Sequence, residues 1–374
     1  MKTQNTIRVA DERNASLDLL RVLCMFLIVL GHSIVHGQVT EDVPIFSANY
    51  FLTYILYALL IVHVNCFVLL SGYFQCKKEA SLSKVISLWG HIFFWSVVCY
   101  LFFVLIGQEP FSIKGIIKAA LPFTQQRYWF ATTYLLMYTL SPFLNKLIHA
   151  MDQRQHAGCL AVFFLVFILL QNLVFWREFT AVNGSSPLFF VFLYMTAAYV
   201  RQYPPQKRHP WFLGYLLLCA VGAGSRFLLT WITTPIFGVP MGETICSGYS
   251  SVVVYLGSVA LFMTFVSMRL GTGWLAKLSV FLSPLTFGIY LIHDNPETRT
   301  FIWKTLLKPY QFLDSPMLIP YAFGCAILVF AVSGMVEYVR MRVSRTFGMR
   351  RLVECASVYM EKVYEKCLKI VFSV

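Results

Sequence analysis

His32 and Arg21 lie eleven residues apart in the apolar run 17–36. At ~100° per residue, eleven residues fall within ~20° of three full helical turns. In a helix both side chains therefore leave one face, ~16 Å apart along the axis. Asp18, three residues before Arg21, is near enough to hold its guanidinium. A histidine placed mid-membrane can act as a general base near neutral pH. An arginine three turns away can hold a phosphate or a carboxylate. Such groups are expensive in lipid, which marks them as functional candidates. The same spacing also fits an arginine that snorkels to the headgroups and a histidine that closes a core hydrogen bond.

Further polar residues interrupt later apolar runs. His63 and Asn65 precede Ser71-Gly72-Tyr73, then Lys77 and Lys78. Small residues at 71–72 permit close helix approach. The two lysines either flank an anionic donor or follow the positive-inside rule. Arg127-Tyr128-Trp129-Phe130 reads as an interfacial aromatic belt or the wall of an outer vestibule. Pro142, within Ser141-Pro142-Phe-Leu-Asn145, is expected to kink its helix. Arg226 sits inside a span and must face protein or water, to bind substrate or to pair with Glu243. His293, beside Asp294, is a candidate for binding an acceptor. No HExxH, GxSxG, Walker loop or dinucleotide fingerprint occurs. The ten cysteines are scattered in apolar runs and read as small buried hydrophobes. No metal site is expected.

The elements that must carry these residues follow from composition. Of the 374 residues, 58% are hydrophobic and only 13% are charged, against ~25% charged in a soluble domain. Too few charges remain to cover a surface in water, so lipid is the expected solvent. Disordered chains, disulfide scaffolds and nucleic-acid-binding domains are excluded. The expected fold is all-α and polytopic, with about ten spans of roughly 20 residues. They are drawn at 17–36, 50–74, 85–107, 128–148, 158–176, 187–201, 211–234, 249–268, 279–293 and 317–338. The first run lacks a small-x-small cleavage pattern and is taken as a retained helix. An even count puts both termini on one side, and that side then holds three times as many Lys and Arg as the other. The positive-inside rule makes it the cytoplasm, so most of the +13 net charge is orientation. Residues 111–124 are too short to span and read as a surface or re-entrant helix. Residues 297–313 fit the outer interface. The tail 339–374 reads as a basic amphipathic cytoplasmic helix lying on anionic lipid.

Together these motifs resemble the acyltransferase-3 family of membrane O-acyltransferases. Ser16-Leu-Asp-Leu-Leu-Arg21 through His32 is similar to the family's Arg-x10-His element. Phe67-Val-Leu-Leu-Ser71-Gly72-Tyr73-Phe74 resembles its second-helix signature. Tyr128-Trp129-Phe130, leading to Ser141-Pro142-Phe-Leu-Asn145, resembles the fourth. Thr286-Phe-Gly-Ile-Tyr-Leu-Ile-His293 resembles the late one. The resemblance is strongest to the branch that acetylates bacterial surface polysaccharides, the enterobacterial common antigen among them. It implies a transmembrane acyltransferase domain over 1–338, in a bacterial cytoplasmic membrane. It also implies transfer of an acetyl group from acetyl-CoA, a substrate rather than a resident cofactor, to a hydroxyl of a carbohydrate. The implied partners are the lipid bilayer, acetyl-CoA and the carbohydrate acceptor, with no nucleic acid. His32 would be the catalytic base, Arg21 its motif partner with Asp18 beside it, and Arg21, Lys77 and Lys78 the donor-binding cations. Trp129, Arg226 and His293 would meet the acceptor. The competing class is a secondary transporter or flippase for a glycan or small anionic solute, which also uses buried Arg and His.

Overall fold

The structure is a computed structural model that describes residues 14–78, 82–173, 183–205, 209–238, 248–346 and 357–359. Among the described residues it is helical, with no strand. The helices are α1 (Ala15–Val35), α2 (Ala48–Leu60), α3 (His63–Gln75), α4 (Leu82–Leu105), α5 (Ile113–Ala120), α6 (Trp129–Ala150) and α7 (Gln153–Leu173). They continue with α8 (Pro187–Gln202), α9 (Trp211–Phe237), α10 (Val252–Ser267), α11 (Trp274–Leu282), α12 (Thr286–His293) and α13 (Leu318–Thr346). Among the described residues, seven segments are long and apolar enough to cross a membrane, with α2–α3 and α11–α12 each counting as one. The three remaining expected spans coincide with α6, α8 and α10, and the last two have only 16 residues each. The short α5 is largely exposed, as expected for a surface helix.

Local sequence explains how these helices start and meet. Asn14 caps α1, its side chain accepting from the amides of Ser16 and Leu17. Gly72 lets α3 touch α8: a Cβ there would lie 2.5 Å from the Tyr194 carbonyl oxygen. Pro142 lies inside α6. One turn on, Asn145 donates to the carbonyls of Gln75 and Lys78 at the end of α3, and accepts from the Tyr194 hydroxyl. Thus two sequence motifs far apart in the chain form a single joint between α3, α6 and α8.

Helix α13 runs unbroken through Thr346, past the expected end of the transmembrane domain at 338. Apart from its first turns and residues 357–359, the amphipathic tail lies outside the described residues, as does Glu243. Within α13, Glu337 is buried against α4 and α12. It accepts from Trp95 at 3.0 Å, faces His91 at 3.3 Å and takes both ends of the Arg340 guanidinium at 2.6 and 2.8 Å. A side chain at Gly288 would strike the Glu337 carboxyl, which explains the glycine of the late motif.

Candidate functional site

A hydrogen-bonded chain runs from the end of α12 to His32. His293 Nδ1 lies 2.6 Å from the carbonyl oxygen of Ile289. A carbonyl only accepts, so Nδ1 carries the hydrogen and Nε2 of His293 keeps its lone pair. That lone pair faces Nδ1 of His32 at 3.0 Å. Nδ1 of His32 is therefore the donor, and its Nε2 is left as a bare base. His293 is fully buried, whereas His32 lines a cavity of about 1150 Å³.

Asp294 supports the same chain. Its carboxylate lies 3.6 Å from Nδ1 of His32, 3.7 Å from Nε2 of His36 and 3.2 Å from the Arg299 guanidinium. Burial pushes this carboxyl up to about 6, with Arg299 pulling the other way. Burial, with Arg299 adding to it, pushes His36 down to about 3. The turn is held by Tyr128, whose hydroxyl donates to the Leu291 carbonyl and accepts from Asn295. Arg127 pairs with Glu297 just beyond.

His32, His36 and Asp294 are, among the described residues, the one group whose donor atoms lie within 4.8 Å of one another as metal ligands would. Two of the three atoms are already engaged. His32 Nδ1 is bonded to His293, and the Asp294 oxygen faces a fixed guanidinium. The geometry suits proton transfer: the carboxylate is set to stabilise an imidazolium forming on His32.

The cavity beside His32 has an aromatic and hydroxyl-rich wall that includes Trp129, Thr132, Thr133, Ser185 and Tyr249. Trp129 stacks on Tyr249 with centroids 5.7 Å apart. A second cavity, of about 670 Å³, is lined by Asp18, Arg21, Ser71, Gln75, Lys78 and Lys84 among others. Here Arg21 donates to Ser283 at 3.0 Å and meets Asp18 at 3.4 Å, while Ser283 donates to Asp18 at 2.6 Å. Asp18 and Ser283 thus hold the guanidinium at the cavity wall, beside two lysines.

The partition between the cavities is thin. Trp129 lines the first and its neighbour Phe130 the second. Phe130 packs against Phe67 and Tyr290, which also line the second. On α3, His63 lines the first cavity and Phe67 the second, one helical turn or ~6 Å apart.

A family model for an acyltransferase domain matches residues 14–338. The chain belongs to the acyltransferase-3 family. No curated protein and no solved structure matches it.

The structure divides the expected site residues between the two cavities and leaves some outside both. His32 and Trp129 share one cavity, and Arg21, Asp18 and Lys78 share the other. Three turns along α1 carry Arg21 and Asp18 past the partition, so they line a different cavity from His32. Lys77 is exposed and lines neither cavity, whereas Lys84 lines the second. His293 lines neither cavity: both its nitrogens are engaged and its side chain is buried, and its Nε2 holds the His32 ring. Arg226 lies over the Tyr54 ring at 3.4 Å, outside the His32 cavity. Arg127 and Tyr128 are not a passive belt, since they fix the turn that carries Asp294. The sequence offered His36 among the costly polar groups of the first span without a role, and gave none to Arg299 or Ser283. Only His36, one turn after His32, carried a spacing signal.

Proposed function

We propose that this acyltransferase moves an acetyl group from acetyl-CoA to a hydroxyl of a cell-surface polysaccharide or its lipid-linked precursor. The observation that supports this best is the pair of unlike cavities separated by one helical turn, with the bare Nε2 of His32 on one side. The positive-inside rule assigns the Arg21 cavity to the cytoplasm, where Arg21, Lys78 and Lys84 attract the phosphates of CoA. The other cavity presents aromatic faces and hydroxyls suited to a sugar.

In the transfer, an acceptor hydroxyl attacks the thioester carbonyl carbon while His32 Nε2 takes its proton. The carbon–oxygen bond forms as the carbonyl pair moves onto oxygen. The tetrahedral centre then collapses, the carbon–sulfur bond breaks, and His32 returns the proton to the departing thiolate. His293 holds the ring in the tautomer that leaves Nε2 free. Asp294 stabilises the transient imidazolium.

The test uses proteoliposomes with labelled acetyl-CoA and glycan extracted from the source cells. Label should move onto glycan with the native protein and stay on CoA with His32→Ala, at equal insertion. Accumulation of solute without label transfer would favour a carrier. Undiminished transfer by His32→Ala would overturn the role of the base.

A further inference from the structure

His63 begins α3 and lines the same cavity as His32. Its side chain is buried, and Nδ1 is enclosed without a hydrogen-bond partner among the described residues. The other buried histidines of the bundle are anchored. His293 is fixed by Ile289 and His32, and His156 by the Met195 carbonyl. The His63 ring is held by packing alone, edge-on to Tyr249 with centroids 6.2 Å apart. A buried polar group left in this condition calls for an explanation in terms of something that binds there.

The direction of its other nitrogen supplies one. Nε2 points at Gly31, the residue before His32, where an added methyl group would sit 3.6 Å from it. No acceptor among the described residues faces Nδ1. A buried N–H without an acceptor is rarer than an under-used lone pair, so the ring hydrogen belongs on Nε2. There, whatever fills the cavity can accept it. His63 also stands at the partition, because Phe67, the next turn of the same helix, already lines the Arg21 cavity. An acyl group passing between the cavities crosses beside it.

We propose that His63 donates a hydrogen bond from Nε2 to the carbonyl oxygen of the acyl group during transfer. This rests on the acyl-transfer reading above. When the acceptor oxygen bonds to the carbonyl carbon, the electron pair moves to the carbonyl oxygen, and His63 stabilises that charge without giving up its proton. When the carbon–sulfur bond breaks, the pair returns and the carbonyl is restored in the ester. His32 alone carries the moving proton, so the two histidines divide the work: one takes the proton, the other holds the oxyanion. Loss of one such donor typically lowers turnover ~10²–10³-fold.

The test compares His63→Phe, His63→Gln and Gly31→Ala in the full chain in proteoliposomes, with acetyl-CoA as donor and octyl β-D-glucopyranoside as acceptor. Phenylalanine keeps the ring and removes the donor, so kcat should fall ~10²–10³-fold with both KM values unchanged. Glutamine, which still carries an N–H, should recover part of the loss. Alanine at 31 covers Nε2 with a methyl group at ordinary contact distance and should lower kcat without unfolding the protein. A second readout needs no turnover. Carbonyl-¹³C acetyl-CoA bound to His32→Ala should show a carbonyl stretch that moves to higher frequency when His63→Phe is added. Full kcat in His63→Phe, a loss confined to KM, or an unmoved carbonyl band would each overturn the proposal. If the native protein and His63→Phe transfer equally while His32→Ala does not, only the role of His63 falls. If the native protein transfers no acetyl group to this acceptor or to extracted glycan, the acyl-transfer reading falls with it.

Discussion

Near the end of α12, Asp294 faces His32, His36 and Arg299; within α13, Glu337 faces His91, Trp95 and Arg340. Both clusters join histidine, carboxylate and arginine out of water. Around Glu337 both carboxylate oxygens are engaged, and Glu337 lines neither the His32 cavity nor the Arg21 cavity. Around Asp294 the chain of hydrogen bonds ends on Nε2 of His32, beside a cavity of about 1150 Å³. The first cluster is a clamp that ties α13 to α4 and α12. The second is the candidate site. What separates them is not which residues are present but whether one bonding position is left facing a void.

The comparison is tested most strongly by removing the central group of each cluster. His32→Ala should lower transfer by ~10²–10⁴-fold with thermal unfolding in detergent unchanged. Glu337→Ala removes the shared acceptor of Trp95, His91 and the half-buried Arg340. It should lose ~1–3 kcal/mol of stability, read as a lower unfolding midpoint, while activity per folded molecule stays near native. If Glu337→Ala instead silenced a stably folded protein, the clamp would have to be counted in the site.

A smaller effect is expected at the residue that orients the base. His293→Phe removes the acceptor that fixes His32, and kcat should fall about tenfold, worth ~1.4 kcal/mol. The KM for the donor should not change, because His293 does not line the Arg21 cavity.

The charge on Asp294 sharpens the difference further. Its carboxyl is raised to about 6, so it is neutral below that pH and charged above it. The charged form stabilises the imidazolium on His32, so transfer should rise as pH climbs through about 6. Asp294→Asn should be slower at high pH and lose that rise, read from the pH profile of kcat. Glu337→Gln should keep it.

The smallest changes in turnover belong to the second cavity. Arg21→Ala should raise the KM for acetyl-CoA ~10–100-fold, the value of one or two charged hydrogen bonds, with kcat little changed. Lys77→Ala should do almost nothing, because Lys77 lines neither cavity.

The sequence showed the helical, lipid-facing character, because few charges and long apolar runs leave no other solvent. It also showed the face shared by Arg21 and His32, because helical period is local. It did not show that a common face can serve two cavities, since the partition is built by Phe67, Phe130 and Tyr290 from other helices. The partner of His32 was hidden for the same reason: His293 lies 261 residues away. Glu337 and Arg340, three residues apart, look like an ordinary surface pair until the packing of Gly288 shows that the carboxylate is buried. Arg226 is the opposite case. Part of its cost in lipid is met by the face of Tyr54, a contact no spacing rule announces.

The central claim is that donor and acceptor reach one base from opposite faces of the membrane. Proteoliposomes of known orientation test it directly, with impermeant acetyl-CoA confined to one face and a membrane-impermeant glycan to the other. Transfer is expected only when acetyl-CoA is on the face of the Arg21 cavity and the glycan is on the face of the His32 cavity. Equal transfer with both substrates on the same face would contradict the account.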